Sequence, residues 1–323
     1  MSRHSRKRYR VRSPHRVAVI LTALLVLTFA SGAFATDGRG VRDGFSHVGQ
    51  QDADMATTVG TGAELATDNG PDVDAIRDKV AAYLDQQQGF YGVYFKDLAS
   101  GAEFSYNGDE VFTAASTYKV PAVFYLYHLA QQGKIDLQEQ VAFQRSDWEA
   151  GTGVLQATKP GTKFTLQRLA ELAITVSDNI ALNMIRRRLG PGNIVDFVES
   201  LGADVLPEKK NITSPHSMGR ILEALYEFAQ NYPDYGGAVL GLMERTDTND
   251  RLPAKLPPEV VVAHKVGNWP NAAHDVGIIF APGHVYILAA MSRDLPTFDY
   301  GVKTIAEVSK IVYDGVVGTA GGQ

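Results

Sequence analysis

Ser116 and Lys119 are the first pair of residues in this chain whose types and spacing could do chemistry. They stand at the head of an apolar run, residues 120–129, which together with Ser116 predicts the start of a helix. Three residues apart on a helix, the two side chains project from the same face, one turn from each other. A half-buried lysine can lose enough solvation to take the proton from a serine, which makes the serine nucleophilic. The same spacing also occurs by chance on solvated helices, so further residues must decide.

Two later motifs carry residue types that suit the same chemistry. Residues 177–179 read Ser-Asp-Asn between two helical patterns, and residues 265–267 read Lys-Val-Gly at the end of a strand-like run. Each alone is typical of a structural feature, a helix cap or a surface lysine before a turn glycine. The order Ser-x-x-Lys, Ser-Asp-Asn, Lys-x-Gly on helix, loop and strand is instead the signature of a serine acyl-transfer site.

Hydrophobic periodicity predicts the elements that must position these motifs. Helical patterns and strand-like runs occur as follows: helices at 72–87, 166–176, 180–189, 194–201, 216–229 and 302–312, and strands at 90–98, 102–106, 260–266, 276–281 and 284–291. Because strands occur near both ends, we predict an α/β (α+β) three-layer sandwich. It has an antiparallel sheet of about five strands covered by the terminal helices, with a helical subdomain inserted between its second and third strands. A cleft is expected where the two parts meet.

The N-terminal segment predicts export. Residues 1–16 hold six Arg and one Lys without an acid, and residues 17–35 form an uncharged, mostly apolar run that ends in Ala-Phe-Ala. This pattern is typical of a signal peptide cleaved after Ala35, and the run is long enough to act instead as a membrane anchor. Residues 36–71 have the composition of a flexible linker. The domain is then predicted at residues 72–318, outside the cell or at its envelope.

Composition excludes several classes of function. Without the seven N-terminal cations the chain has 24 basic and 36 acidic residues, a net charge of about −12, so nucleic acid is not an expected partner. It has no cysteine, which excludes a disulfide, a thiolate zinc site and a cysteine nucleophile. No pattern predicts a metal or an organic cofactor. A small-molecule substrate is the expected partner, and the oligomeric state stays open.

From about Asp72 to the end of the last helix, the chain resembles the class A β-lactamase-type serine hydrolases of the β-lactamase and penicillin-binding protein superfamily. Beyond the three motifs, residues 164–181, 264–267 and 275–279 carry this resemblance. It implies a β-lactamase-like fold, no cofactor, and hydrolysis of β-lactams, the chemistry of antibiotic resistance, as the leading activity.

The resemblance also implies a role for each motif residue. Ser116 would be the nucleophile that forms the acyl-enzyme, and Lys119 would accept or relay its proton. Ser177 would pass a proton to the leaving amine. Asn179 would hold the amide side chain of the substrate, and Lys265 would attract its carboxylate.

The remaining polar residues near the motifs have expected roles as well. The backbone N–H groups of Ser116 and Asn268 would stabilise the oxyanion. Gly267 would let the strand approach the substrate without a side chain in the way. Asp178 is predicted to hold its loop by hydrogen bonds. Glu149, on a glycine-containing loop, could line the cleft, although an ordinary exposed acid is the favoured interpretation.

The chain departs from the family pattern in two places. Members of the family release the acyl group with a water activated by a glutamate, which is followed after three residues by an asparagine. Here the corresponding region is short, and its candidate, Glu208, stands one residue too close to Asn211. Val266 replaces a hydroxyl residue that helps to bind the substrate carboxylate. Four nearby residues could replace such contacts, although packing roles are favoured: Arg251, His264, Trp269 and His274.

Three functions stay open at this point. The first is β-lactam hydrolysis with turnover. The second is a relative that acts on peptidoglycan peptides or esters and binds β-lactams with slow deacylation, as the short loop and Val266 would favour. The third is a cell-envelope binding module without activity. The intact set of motif residues argues against the third.

Overall fold

The computed structural model describes residues 70–203 and 211–318. The predicted export signal, its cleavage site, nearly all of the linker and Glu208 lie outside the described residues. Within the two described ranges, no helix combines the length and the apolar character needed to cross a membrane.

Eight α-helices and nine strands are found in the described ranges. The helices are α1 Val73–Leu84, α2 Lys119–Gln131, α3 Leu166–Thr175, α4 Asn179–Leu189, α5 Pro191–Ser200, α6 Pro215–Asn231, α7 Ala238–Glu244 and α8 Phe298–Gly318. The strands are β1 Phe90–Asp97, β2 Glu103–Tyr106, β3 Phe112–Thr113, β4 Gln140–Ala142, β5 Lys163–Thr165, β6 Ile212–Thr213, β7 Val261–Trp269, β8 Ala272–Ala281 and β9 His284–Arg293.

Five of the strands form one antiparallel sheet in the order β2-β1-β9-β8-β7. The strand β1, from the start of the domain, pairs with β9 from its end, with Phe90 opposite Arg293. All helices from α2 to α7 therefore lie in an insertion between β2 and β7. The predicted five-stranded sheet with an inserted helical subdomain is confirmed.

The sheet separates two hydrophobic cores, because successive side chains of a strand point to opposite faces. On β9, Tyr286 and Leu288 pack into the core beneath α1 and α8, whereas Ile287 and Ala289 pack into the core shared with the helical insertion. The predicted apolar stripe of the last helix is buried in the first of these cores. Its members are Val302, Ile305, Val308 and Val312. The outcome is three layers, with the edge strand β7 facing the insertion.

The sequence patterns do not predict the short strands. Strand β3 pairs with β6, and β4 pairs with β5, each over two or three residues. Such lengths leave no alternation for a sequence pattern to reveal. The β3–β6 pair matters for the site because it fixes the chain just before Ser116.

Candidate active site

Ser116 lies in a short 3₁₀ helix, Ala115–Tyr118, which leads directly into α2. Helix α2 is buried on nearly every side, as expected for an apolar helix inside a core. Lys119 is its first residue and is only 1% exposed. The apolar run that predicted the helix therefore also buries the amine that stands beside Ser116.

Four oxygen atoms surround the amine of Lys119. Its Nζ lies 2.8 Å from Ser116 Oγ, 3.1 Å from Ser177 Oγ, 2.9 Å from the Ser177 carbonyl oxygen and 2.7 Å from Asn179 Oδ1. The structure thus brings together four of the residues predicted for the site, from the 3₁₀ helix, α2, the Ser-Asp-Asn loop and α4.

The types of these oxygens are compatible with a neutral amine that can accept a proton. The Ser177 carbonyl and Asn179 Oδ1 can only accept hydrogen bonds, so they take two N–H groups of Lys119. The two hydroxyls can either donate or accept. A neutral amine satisfies both fixed acceptors and still presents a lone pair to the hydroxyl of Ser116, 2.8 Å away.

Burial shifts the pKa of this lysine towards the working range of a base. Loss of solvation lowers the pKa of Lys119 to about 8, against a smaller opposing effect of the negative charges on Glu149 and Asp178. About one tenth of Lys119 is therefore neutral at pH 7, far more than for a lysine in water.

Two residues of the site hold backbone conformations that L-amino acids rarely adopt. Ala115, just before Ser116, has φ +49°, and Ser177 has φ +55°. Each such residue costs on the order of 1 kcal/mol and is held in place by its surroundings. The strain falls on the two segments that present hydroxyls to Lys119.

Asp178 fixes the loop opposite the nucleophile, which we call the 147–155 loop. Its Oδ1 caps α4 by accepting from Ala181 N at 2.9 Å. Its Oδ2 accepts from the backbone N–H groups of Val154 and Leu155, at 2.6 and 2.9 Å. The predicted structural role of Asp178 is confirmed, and its effect is to hold the loop against the start of α4.

Strand β7 closes the other side of the site. Lys265 is fully buried, and its Nζ donates to the carbonyl oxygen of Val266 at 3.3 Å. Burial, aided by the charge of Lys119, lowers the pKa of Lys265 to about 7. Val266 and Asn268 line the cavity, whereas Lys265 and Gly267 are not among its lining residues. Because β7 is an edge strand, it has backbone N–H groups that the sheet does not use.

The packing around Gly267 gives a different reason for this glycine than the predicted one. A Cβ atom there would lie 3.1 Å from the carbonyl oxygen of Ala114 and 3.1 Å from Thr117 Cγ2. The absent side chain thus lets β7 pack against the segment that carries Ser116. The glycine therefore serves the approach of the strand to the segment that carries the nucleophile, and its role towards the substrate stays a prediction.

The four residues weighed as replacement contacts divide into two groups. Arg251, His264 and His274 are fully buried. Arg251 donates to Asn268 Oδ1 at 2.7 Å and to the carbonyl oxygen of His274 at 3.1 Å, which supports β7 from behind. Burial lowers the pKa of His274 to about 4, so this ring is neutral. Trp269 is instead 53% exposed and lines the cavity.

The cavity in front of Ser116 has a volume of about 730 Å³, enough for a drug-sized molecule. Besides the motif residues, several polar residues that sequence reasoning missed or set aside line it, among them Glu149, Asn183 and Arg186. Asn183 and Arg186 follow Asn179 at helical spacing, so the pattern of α4 could have revealed them. Over residues 70–203 and 211–318, no group of three or more His, Cys, Asp or Glu is arranged to hold a metal ion.

Comparison with known proteins agrees with this geometry. A profile of the beta-lactamase enzyme family matches residues 75–316. The chain belongs to the beta-lactamase enzyme family. Among its relatives, Beta-lactamase SME-1 of Serratia marcescens is 25% identical over 273 residues, which cover 75% of this chain and 90% of that protein. A Beta-lactamase of Streptomyces albus G is 30% identical over 224 residues, 61% of this chain and 70% of that protein.

Solved structures place this family member in the class A type. An acyl-enzyme complex of a PBP-A mutant with penicillin G is 29% identical, with a TM-score of 0.71, and the match covers 75% of this chain and 96% of that one. An ancestral class A beta-lactamase is 25% identical with a TM-score of 0.68, over 74% and 99% of the two chains. The predicted class A β-lactamase-type fold is thereby confirmed.

Proposed function

We propose that the protein is an exported serine hydrolase that opens β-lactams through an acyl-enzyme on Ser116. One observation carries the proposal: a lysine amine buried by the fold lies 2.8 Å from a serine hydroxyl at the wall of a ligand-sized cavity. Membership of the beta-lactamase enzyme family and the penicillin G adduct of PBP-A support β-lactams as the substrate class.

Acylation follows from the contacts of Lys119. Neutral Lys119 takes the proton of Ser116, whose Oγ forms a bond to the lactam carbonyl carbon. The backbone N–H groups of Ser116 and of Asn268 on β7 are proposed to hold the oxyanion. When the C–N bond breaks, Ser177 gives its proton to the leaving nitrogen and regains one from Lys119, 3.1 Å away. Asn179 is proposed to bind the substrate, and the buried Lys265 to attract its carboxylate through its charge, as the family resemblance implies.

A second candidate is a protein that binds β-lactams covalently and releases them slowly. The acyl-enzyme of the PBP-A mutant, at 29% identity, favours it. This candidate shares acylation at Ser116 and differs only in the lifetime of the adduct. Peptidoglycan-like peptides or esters would then be the natural substrates.

Intact mass after mixing with a chromogenic cephalosporin tests the proposal. Wild-type protein should gain the mass of one acyl group, and Ser116→Ala should gain none while keeping its circular dichroism spectrum. Labelling that survives in Ser116→Ala would overturn the assignment of the nucleophile. Product far beyond one equivalent supports the hydrolase, and a lasting single-equivalent adduct supports the second candidate.

Export is a separate part of the proposal and has its own test. Residues 1–35 carry the features of a signal peptide or anchor. Fractionation of cells that express the full chain should place it outside the cytoplasm. N-terminal sequencing should show cleavage after Ala35 or an intact anchor, and cytoplasmic full-length protein would contradict export.

A further inference from the structure

One face of α4 carries a stripe of polar residues into the cavity. Asn179, Asn183 and Arg186 stand at positions i, i+4 and i+7, so they share a face of the helix, and all three line the cavity. The first of them binds Lys119 through its Oδ1 at 2.7 Å. The stripe therefore begins beside Lys119, which takes the proton of Ser116, and continues along the wall of the cavity.

Glu149 is attached to the second residue of this stripe. Asn183 Nδ2 donates to Glu149 Oε2 at 2.7 Å and lies 3.3 Å from the carbonyl oxygen of Asp147. Residues at i and i+4 have Cβ atoms roughly 5–6 Å apart. The carboxylate of Glu149 is thus held by a residue that follows the partner of Lys119 by one helical turn.

Electrostatics places this carboxylate on the nucleophile side of the cavity. Among the described residues that line the cavity, the carboxylates are Glu149 and Asp247. The charge of Glu149 acts on Lys119, where it is the larger of two carboxylate effects. The charge of Asp247 acts on Lys265 instead, and its Oδ1 accepts from Thr248 Oγ1 at 3.0 Å. Glu149 is therefore the carboxylate on the side of Ser116.

The 147–155 loop is anchored on both sides of Glu149. Arg187 forms a salt bridge with the buried carboxylate of Asp147 at 2.7 Å. Thr152 Oγ1 donates to the carbonyl oxygen of Ser177 at 2.6 Å, and Asn179 Nδ2 donates to that of Ala150 at 3.1 Å. A carboxylate on so firmly held a loop is preorganised for chemistry, although its own side chain is exposed to the solvent of the cavity.

We propose that Glu149 is the general base that releases the acyl group from Ser116, an inference that rests on the proposed function. Glu149 takes a proton from a water molecule while the water oxygen forms a bond to the acyl carbonyl carbon. The bond from that carbon to Ser116 Oγ then breaks, and the proton returns through Glu149 and Lys119 to the serine oxygen. Ester and water become carboxylic acid and free serine. Asn183 is a positioning residue that aims the carboxylate.

The test separates formation of the adduct from its loss. Intact mass is followed with time after a chromogenic cephalosporin is mixed with five proteins: wild type, Ser116→Ala, Glu149→Gln, Glu149→Asp and Glu208→Gln. Glu149→Gln keeps nearly the same shape and the hydrogen bond to Asn183 but cannot take a proton. We expect its adduct to form at the wild-type rate and to last about 100-fold longer or more. Glu149→Asp should recover part of the release, and Glu208→Gln should match wild type.

Each outcome has one meaning. No adduct in wild type, or an adduct in Ser116→Ala, defeats the proposed function itself. The role of Glu149 is overturned if the wild-type adduct is never released. It is also overturned if the lifetime of the adduct in Glu149→Gln equals that in wild type. Both outcomes leave acylation at Ser116 standing. A long-lived adduct in Glu208→Gln with normal release in Glu149→Gln assigns the base to Glu208 instead.

Discussion

At the scale of single residues, two buried lysines set the chemistry of the site. Lys119 and Lys265 are both nearly or fully buried, and loss of solvation lowers the pKa of each, to about 8 and about 7. The first must be neutral to take a proton from Ser116. The second must be charged to attract a carboxylate. A rise in pH therefore favours the role of Lys119 as a base and removes the charge that Lys265 needs.

This opposition predicts a split pH profile. The rate constant of acylation should rise with pH through about 8, where half of the Lys119 amines are neutral, and level off above it. The apparent affinity for an anionic β-lactam should fall as pH passes about 7, where Lys265 becomes neutral. Stopped-flow acylation measured over substrate concentration from about pH 5.5 to about pH 9.5 separates the two quantities. A rate constant that does not change over this range would contradict Lys119 as the base.

The burial of Lys265 also lowers the free energy of unfolding while this lysine is charged in the unfolded state. The folded pKa of Lys265 lies below its unfolded value of 10.5, so the folded state binds fewer protons and stability rises with pH between about 7 and 10.5. Lys265→Met removes the buried charge. We expect it to raise the free energy of unfolding at pH 7 by about 1 kcal/mol or more and to weaken this pH dependence. Urea unfolding at about pH 7 and about pH 9.5 measures both, and a less stable variant would contradict the idea.

At the scale of elements, the 147–155 loop depends on a glycine that packs against Asp178. Gly153 has φ +115°, and a Cβ atom there would lie 2.2 Å from Asp178 Oδ2 and 2.5 Å from Asp178 Cα. No side-chain rotation can relieve a contact with a backbone atom. The loop and the start of α4 would have to separate.

Gly153→Ala should therefore lower both stability and acylation. We expect a loss of about 2–3 kcal/mol in unfolding free energy, from strain and the broken packing, together with slower adduct formation. Gly161→Ala is the matched control, because Gly161 has φ +90° and no atom lies within 4 Å of the position that a Cβ would take. It should cost only about 1 kcal/mol and leave acylation unchanged. Equal effects of the two changes would show that only backbone strain matters.

The sequence predicts the long elements and misses how they meet. Apolar stripes reveal α8 and the sheet strands because burial repeats at the helical or strand period. The motif order predicts that Ser116, Lys119, Ser177 and Asn179 meet, as they do. The contact of Asn183 with Glu149 joins α4 to a loop 34 positions away. No local pattern encodes such a pairing, which is why the sequence alone favours an ordinary acid at this position.

At the scale of the whole molecule, one tryptophan lines the cavity and the other directly precedes a residue that lines it. The chain contains two tryptophans, and both are more than half exposed. Trp148 belongs to the 147–155 loop and directly precedes Glu149, whereas Trp269 ends β7 and lines the cavity. The sheet thus places one fluorophore in the wall of the cavity, and the helical insertion places the other next to a lining residue.

Substrate binding should therefore change nearly all of the intrinsic tryptophan fluorescence. A β-lactam with a chromophore that absorbs in the tryptophan emission band should quench Ser116→Ala reversibly, because this variant binds without reacting. Trp269→Phe should lose the larger part of the quenching and Trp148→Phe the smaller part, since only Trp269 lines the cavity. Fluorescence titrations of Ser116→Ala, alone and combined with each tryptophan substitution, measure the share of the quenching that each tryptophan carries. Quenching that is carried by Trp148 alone would contradict this placement of the substrate.

The pairing of β1 with β9 also governs the order in which the chain can fold. The hydrogen bond between Gln87 and Tyr300 joins residues 213 positions apart, and β1 has only β2 as a partner until β9 has been synthesised. Closure over such a separation is slow, because a long loop must be ordered before its contacts form. A newly made chain therefore stays without its central sheet until the last strands leave the ribosome.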